Sequence, residues 1–295
     1  MKKISFLGLG VMGNSIAKHL LDQNSEIIVF NRDKKKSLLF KRNFKDKNVT
    51  VVNSPAEAAS NSEFIFSCVG NDNDLNEIYF SKYGIINTIK PKTFIIDHTT
   101  VSANISVKCY RKFKEKDCFF LDAPVSGGEI GARDGKLSIM VGGDEKAFKK
   151  LKNLLKIYSK SLVYMGKSGN GQMAKMVNQI CVAGVIQGLS EGLNFGKEKK
   201  LPLKSLIKAI SNGAAQSWQM DNRASTMWNN KFNFGFMNKW MKKDLDIVIN
   251  SANKSKINIP CTLKIHKFYK KLIKNGYEKY DTSSLIKLLK KNIND

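Results

Sequence analysis

The run Gly8-Leu9-Gly10-Val11-Met12-Gly13 constrains this chain more than any other stretch. It lies between a short apolar segment, Ile4 to Leu7, that reads as a strand, and a pattern to about Leu21 that reads as a helix. In that setting the glycines allow a tight turn, close backbone approach to a pyrophosphate and helix-on-strand packing, with the anion at the helix N-terminus. A second strand, Ile27 to Phe30, leads to Asn31-Arg32-Asp33. The spacing predicts a dinucleotide site formed by Gly8, Leu9, Gly10, Val11, Met12 and Gly13. An acid at the end of the second strand would accept hydrogen bonds from a ribose 2′-hydroxyl and repel a 2′-phosphate. Asn31 and Arg32 should accept the phosphate, which favours NADP(H). NAD(H) becomes the choice if the Asp33 carboxylate points at the ribose instead.

Further short apolar runs alternate with helical patterns as far as about residue 165. Phe64 to Val69, Phe94 to Asp97, Phe119 to Leu121, Leu137 to Val141 and Leu162 to Met165 read as strands. Ser54-Pro55-Ala56-Glu57 combines a capping serine, an N1 proline and a returning glutamate, and Asp144 opens another helical run to Tyr158. The runs are too apolar for a half-exposed sheet. They imply an α/β fold: an N-terminal Rossmann domain, residues 1–165, with a doubly wound, mostly parallel sheet covered on both faces. Beyond Lys167-Ser168-Gly169-Asn170-Gly171 strand signals vanish, so residues 166–295 are expected to form an all-helical substrate and oligomerisation domain. Gly171 to about Lys197 reads as one helix of about 26 residues, some 40 Å at 1.5 Å per residue, long enough to join two domains. Gly184, Gly188, Gly192 and Gly196 recur every fourth residue and clear one face of it, for packing within that domain or against another subunit.

Composition narrows the class. The 295 residues are 42% hydrophobic and 25% charged, enough apolar surface for a sizeable core. Fifty Lys plus Arg against 25 Asp plus Glu leave a formal charge of +25, which raises the question of nucleic acid. Only five of those cations are arginine, the residue whose fork reads phosphate and guanine edges. The lysines are spread over the whole chain, so nucleic acid is not the expected partner; the positive field should instead attract small anions. Cys68, Cys109, Cys118, Cys181 and Cys261 form no C-x-x-C pair and suit reduced thiols in a cytosol. The first strand begins near Lys2, with no room for a signal peptide, and the uncharged stretch Met176 to Ser190 is too short and polar to span a membrane. A cytoplasmic location with no membrane partner is expected.

Asp122-Ala123-Pro124-Val125-Ser126-Gly127-Gly128 follows a strand. A fixed proline, then a hydroxyl and unobstructed N–H groups, make a reasonable carboxylate cradle, although in isolation the run also fits an ordinary glycine-rich turn. Downstream, Gly169-Asn170-Gly171-Gln172-Met173-Ala174-Lys175-Met176-Val177-Asn178-Gln179 puts Lys175 and Asn178 on one helical face. These segments, with Asp97-His98-Thr99-Thr100 and Lys243-Asp244-Leu245, resemble the β-hydroxyacid dehydrogenase family over essentially the whole chain. That family includes 3-hydroxyisobutyrate dehydrogenase, tartronate semialdehyde reductase and glyoxylate/succinic semialdehyde reductase. Cys68-Val69-Gly70-Asn71-Asp72 and Gly213 to Met220 are similar to a subgroup of unassigned oxidoreductases within it.

The resemblance implies an NAD(P)-dependent oxidoreductase acting on CH–OH groups, a small anionic carboxylate as substrate, and a homodimer or homotetramer. Lys175 matches the lysine that exchanges a proton with the substrate oxygen as hydride moves to or from the nicotinamide. Ser126, Gly127 and Gly128 match the carboxylate-binding turn and Asn178 a substrate-orienting asparagine. Thr100, Lys243 and the stretch Val69, Gly70 to Asp74 match cofactor contacts. Many members have Leu-Pro where Val69-Gly70 stands and a second asparagine where Gln179 stands, departures that bear on substrate choice. Carbonyl reduction needs a proton donor within about 3 Å of the oxygen, with a pKa lowered by burial or by a neighbouring cation such as Lys243. His19, His98 and His266 lie far apart in sequence and make no metal-ligand set. Trp218, beside Ser217 and Gln219, is the aromatic that could wall the substrate pocket. Competing readings are a 6-phosphogluconate dehydrogenase, whose longer chain and His-Asn-Gly-Ile-Glu-Tyr signature are missing here, an imine reductase, which commonly replaces the lysine, and a non-catalytic dinucleotide-sensing or nucleic-acid-binding protein.

Overall fold

The computed structural model describes residues 2–21 and 25–289, so positions 290–295 of the expected second domain lie outside the described residues. In chain order the first part runs β1 (Lys3–Leu7), α1 (Val11–Leu21), β2 (Glu26–Phe30), α2 (Lys34–Asn43), β3 (Val49–Val51), α3 (Pro55–Ser60), β4 (Phe64–Ser67) and α4 (Asp72–Phe80). It continues with β5 (Phe94–Asp97), α5 (Ala103–Lys114), β6 (Phe119–Asp122), β7 (Val125–Ser126), α6 (Gly128–Arg133), β8 (Leu137–Gly143), α7 (Glu145–Lys156) and β9 (Ser159–Tyr164). Strands β3-β2-β1-β4-β5-β6 are parallel in that spatial order; β8 pairs antiparallel with β6 and with β7, and β9 runs parallel to β8.

Apolar residues on both faces of each central strand explain the layering. Phe64 and Phe66 of β4, Phe94 and Ile96 of β5 and Leu121 of β6 join one core cluster, whereas Ile65, Ile95 and Phe120 between them join the other. With period-2 alternation, that pattern requires helices on both sides of the sheet. Local signals start several of them. Ser54 accepts from the Glu57 N–H while the Glu57 carboxylate accepts from the Asn53 N–H, and Asp144 caps α7 through the Ala147 N–H.

Helix α8 (Asn170–Glu198) is followed by α9 (Leu203–Ile210), α10 (Trp218–Trp228), α11 (Asn238–Lys254), α12 (Pro260–Lys274) and a 3-10 stretch, Thr282–Leu289. The chain divides into two compact units, Met1–Lys175 and Met176–Asp295, and the division falls inside α8. The second unit has its own core: Ala183, Ile186, Met241, Leu245, Ile265, Tyr269, Leu272 and Leu285 in one cluster, Leu193, Ala224, Met227, Phe232 and Ile286 in another. No described helix is long and apolar enough to cross a membrane.

Candidate active site

Strand order reverses between β1 and β4, and in open parallel sheets the crevice at such a switch point, beyond the carboxyl ends of the strands, takes the ligand. The Gly8–Gly13 loop leaves β1 there. Gly8 has φ +98°, and a Cβ on it would sit 2.3 Å from the Cys68 carbonyl; on Gly13 a Cβ would sit 2.0 Å from the Gly8 carbonyl. Both therefore serve close packing. Gly10 differs, since a Cβ there would meet nothing within 4 Å. Open space beside the first turn of α1, with its outward N–H groups, fits a pyrophosphate.

The rim of this loop is ordered by the end of β2. Gly8 N–H donates to the Phe30 carbonyl at 2.9 Å, and Leu9 N–H to Asn31 Oδ1 at 2.8 Å. The Arg32 guanidinium, with its side chain 76% exposed, lies 2.9 Å from Asp74 and 3.8 Å from Glu77. Asp33 caps α2 by accepting from the Lys35 N–H at 3.1 Å.

Two neighbouring loops are tied together by polar groups, half-buried around Asn71 and Asp72 and buried around Asp97. Asn71 caps α4 through the Asn73 and Asp74 N–H groups, and Asp72 receives the N–H and hydroxyl of Ser102. At the end of β5, Asp97 Oδ1 accepts from the Ser67 hydroxyl and from both the N–H and hydroxyl of Thr99, whose Oγ1 in turn accepts from the Val69 N–H. This fixes the backbone on either side of Gly70 and Thr100. Burial pushes the Asp97 carboxyl up to about 7, against the lowering effect of the Thr99 and Ser67 hydrogen bonds. His98 is buried, with Nδ1 facing the Ala123 carbonyl at 2.6 Å and Nε2 facing the Tyr158 hydroxyl at 2.9 Å. A carbonyl can only accept, so the proton is assigned to Nδ1, and burial lowers this imidazole to about 4.

The Asp122–Gly128 run divides between the end of β6, strand β7 and the start of α6. Ser126 pairs with Ser138 of β8. Gly127 (φ +129°) and Gly128 (φ +61°) turn the chain in a conformation that side chains resist, and a Cβ on Gly128 would meet nothing within 4 Å. Open space thus faces Gly128, whereas a Cβ on Gly127 would meet the Leu137 side chain at 3.3 Å. Lys175, early in α8, is only 7% exposed.

In the second unit a chain of hydrogen bonds links Asn178 to Lys243. Asn178 Nδ2 donates to Gln179 Oε1 at 2.8 Å, Gln179 Nε2 donates to Asp244 Oδ2 at 2.6 Å, and Lys243 Nζ lies 3.0 Å from Asp244 Oδ1. The Gln179 side chain is long enough to reach Asp244. Trp218 is 42% exposed with the Arg223 guanidinium 5.1 Å from its ring centre. Sequence reasoning passed over the structural roles of Asp97, Asp122, Gln172 and Asp244. Their signal was an acid or amide inside an otherwise apolar or motif-bearing segment. No group of three or more His, Cys, Asp or Glu among the described residues could hold a metal ion.

Two family models match: the NAD binding domain of 6-phosphogluconate dehydrogenase over residues 3–166, and the NAD-binding domain of NADP-dependent 3-hydroxyisobutyrate dehydrogenase over 169–289. An uncharacterised oxidoreductase of Shewanella frigidimarina is 40% identical over 291 residues, 99% of each chain. Mitochondrial 3-hydroxyisobutyrate dehydrogenase of Mus musculus is 30% identical over 297 residues, 97% of this chain and 87% of the mouse protein. The solved 3-hydroxyisobutyrate dehydrogenase of Mycobacterium tuberculosis with L-serine shares the fold at a TM-score of 0.88 and 24% identity, covering 99% of this chain and 100% of that one. With the dinucleotide loop at the switch point and relatives matched from end to end, this chain belongs to the β-hydroxyacid dehydrogenase family, nicotinamide-dependent oxidoreductases that act on CH–OH groups.

Proposed function

We propose that the protein is an NADP(H)-dependent oxidoreductase that interconverts a small β-hydroxy acid and the corresponding semialdehyde or keto acid, with Lys175 as general acid and base. What carries this assignment is the burial of Lys175, 7% exposed, in a helix that begins beside the sheet. Lysine is almost never fully buried unless it is paired or put to use, and Lys175 stands three residues before Asn178 on the same helix.

Gly8, Leu9, Gly10, Val11, Met12 and Gly13 would hold the pyrophosphate, Asn31 and Arg32 the 2′-phosphate, and Val69, Gly70, Asp74, Thr100 and Lys243 the remainder of the cofactor. When bound, the reduced nicotinamide supplies the hydride. The chain's own residues bind and orient the acceptor: Ser126 Oγ and the peptide groups of Gly127 and Gly128 take the carboxylate, and Asn178 fixes the carbon to be reduced. Lys175 Nζ then donates a proton to the oxygen as negative charge develops on it, and in the oxidative direction takes that proton back. NADH use is a second possibility, favoured by one observation: Arg32 already faces two carboxylates, Asp74 and Glu77.

We further infer a homodimer or homotetramer acting in the cytoplasm, where free cysteines stay reduced. Val177, Val185 and Phe195 are exposed on α8, and Cβ atoms on Gly184, Gly188 or Gly192 would meet nothing within 4 Å. A bare apolar stripe of this kind suits a second copy.

The test follows absorbance at the reduced-nicotinamide band with NADPH or NADH against a panel of small semialdehydes, for wild type and Lys175→Ala. NADPH oxidation by wild type is expected, with turnover lost and cofactor binding retained in the variant. Equal turnover in both proteins would remove the acid/base role, and a preference for NADH would replace the cofactor assignment.

A further inference from the structure

The beginning of α8 is held from outside the helix. Asp122, fully buried at the end of β6, accepts from the Gly169 N–H at 2.8 Å and the Ser168 hydroxyl at 3.2 Å through Oδ1, and from the Gln172 N–H at 3.1 Å through Oδ2. A carboxylate that satisfies the orphan N–H groups of a first helical turn also complements the helix dipole. An ordinary cap lies next to its helix in sequence, whereas this one comes from a strand 47 residues before Gly169. It therefore fixes where the helix starts relative to the sheet.

A second tie acts from the side. Gln172 is 1% exposed; its Oε1 accepts from the Val101 N–H at 3.1 Å and its Nε2 donates to the Thr99 carbonyl at 2.8 Å. Thr99 and Val101 flank Thr100 at the exit of β5. Two glycines allow the approach: a Cβ on Gly171 would sit 2.5 Å from the Asp122 and Met140 carbonyls, and one on Gly142 would sit 2.8 Å from both Asp122 carboxylate oxygens.

Lys175 lies three residues beyond Gln172, on the same face of the helix and about one turn further on. Asp122 stops the first turn from sliding along its axis, and Gln172 stops it from rotating about that axis. The rotation matters most. A swing of about 20° would displace a side-chain atom about 6 Å from the axis by about 2 Å, and misplacement by about 1 Å can cost about 100-fold in rate.

We propose that Asp122 and Gln172 are positioning residues for Lys175, locking the start of α8 to the ends of β5 and β6 so that the ammonium is held in its working orientation. This rests on the assignment of Lys175 as the acid and base, and the experiment separates the two. Asp122→Asn replaces one acceptor by a donor facing a helix N–H. Gln172→Leu removes both lateral hydrogen bonds at similar volume, while Gln172→Glu keeps the acceptor for Val101 and sets an oxygen against the Thr99 carbonyl. For each variant, kcat and KM are measured with the best aldehyde of the panel and NADPH affinity by fluorescence. Amide exchange is followed across residues 168–177 with α12 as internal reference, and the modification rate of Lys175 by an amine-reactive probe is read by peptide mass.

The expected result is kcat lowered about 10- to 100-fold, NADPH affinity and KM within about threefold, faster exchange confined to 168–177, and faster Lys175 modification. Unchanged kcat in Gln172→Leu would overturn the proposal. So would a parallel loss of kcat, NADPH affinity and α12 protection, which marks general destabilisation. Should Asp122→Asn fail to fold, the Gln172 pair decides alone. Should wild type reduce no aldehyde, the catalytic assignment fails while exchange and Lys175 modification still decide the positioning: unchanged values in Gln172→Leu would overturn it.

Discussion

Arg32 and Asp33 show how one side chain's local partner decides what its neighbour can do. A carboxylate just after β2 is ambiguous in sequence, because it can face a ribose or cap the following helix. Here Asp33 caps α2, leaving Arg32 as the charged group at the rim, steadied by Asp74 and Glu77. Exposed pairs of this kind are worth about 0–1 kcal/mol, whereas charge-assisted hydrogen bonds to a phosphate contribute about 1.5–3 kcal/mol. The phosphate should win the guanidinium. Arg32→Ala is thus expected to weaken NADPH binding about 10- to 100-fold with little effect on NADH, and Asp74→Asn to change NADPH affinity by less than about fivefold; fluorescence titration with both cofactors checks each. Asp97 makes a different prediction. With its carboxyl raised to about 7 in the folded protein against 3.8 as the ordinary value, the native state holds a proton that the unfolded chain releases. Its contribution to stability is present at low pH and is lost as pH rises from about 4 towards 7, at up to about 1.4 kcal/mol per pH unit. His98, lowered to about 4, acts in the opposite sense, losing stability as pH falls through 6.5 towards 4. Urea denaturation of wild type and Asp97→Asn from pH 5 to 8 isolates the aspartate: the wild type should lose ground to the variant as pH rises.

At the level of elements, legibility followed the length of the signal. The glycine loop, the capping serine of α3, the capping aspartate of α7 and the length of α8 could all be read, because each joins a periodic pattern to a specific stop or start. β3 and β7, three and two residues long, were missed; Val125-Ser126 carries no alternation and is a strand only because β8 lies alongside it. Part of the candidate site was hidden for the same reason. Asp122 and Asp244 look like motif residues in sequence, and only the fold brings Gly169 and Gln179 to them from distant segments. The strand-loop-helix unit β1–α1 offers a direct test. A methyl group on Gly13 would collide with the Gly8 carbonyl, so Gly13→Ala should weaken dinucleotide binding by more than about tenfold and lower the thermal midpoint, whereas Gly10→Ala, opening onto space, should affect binding far more than stability; calorimetry and titration separate the two.

For the molecule as a whole, the excess of 25 positive charges should raise the encounter rate of an anionic aldehyde. Screening shortens that field to about 10 Å at 0.1 M salt, so kcat/KM for a carboxylate substrate should fall as salt rises while that for a neutral aldehyde stays flat in the same assay. The change from alternating strands to continuous helical pattern was legible, but the surface of α8 was not, since a glycine every fourth residue suits a buried face and a bare one equally. Of the free cysteines, Cys109 and Cys118 are buried with thiols pushed up by burial, while Cys181 is exposed on the α8 stripe between Val177 and Val185. That thiol is a natural reporter. If copies of the chain shelter the stripe, alkylation of Cys181 should slow as the protein is concentrated, while Cys261, exposed elsewhere, reacts at a constant rate.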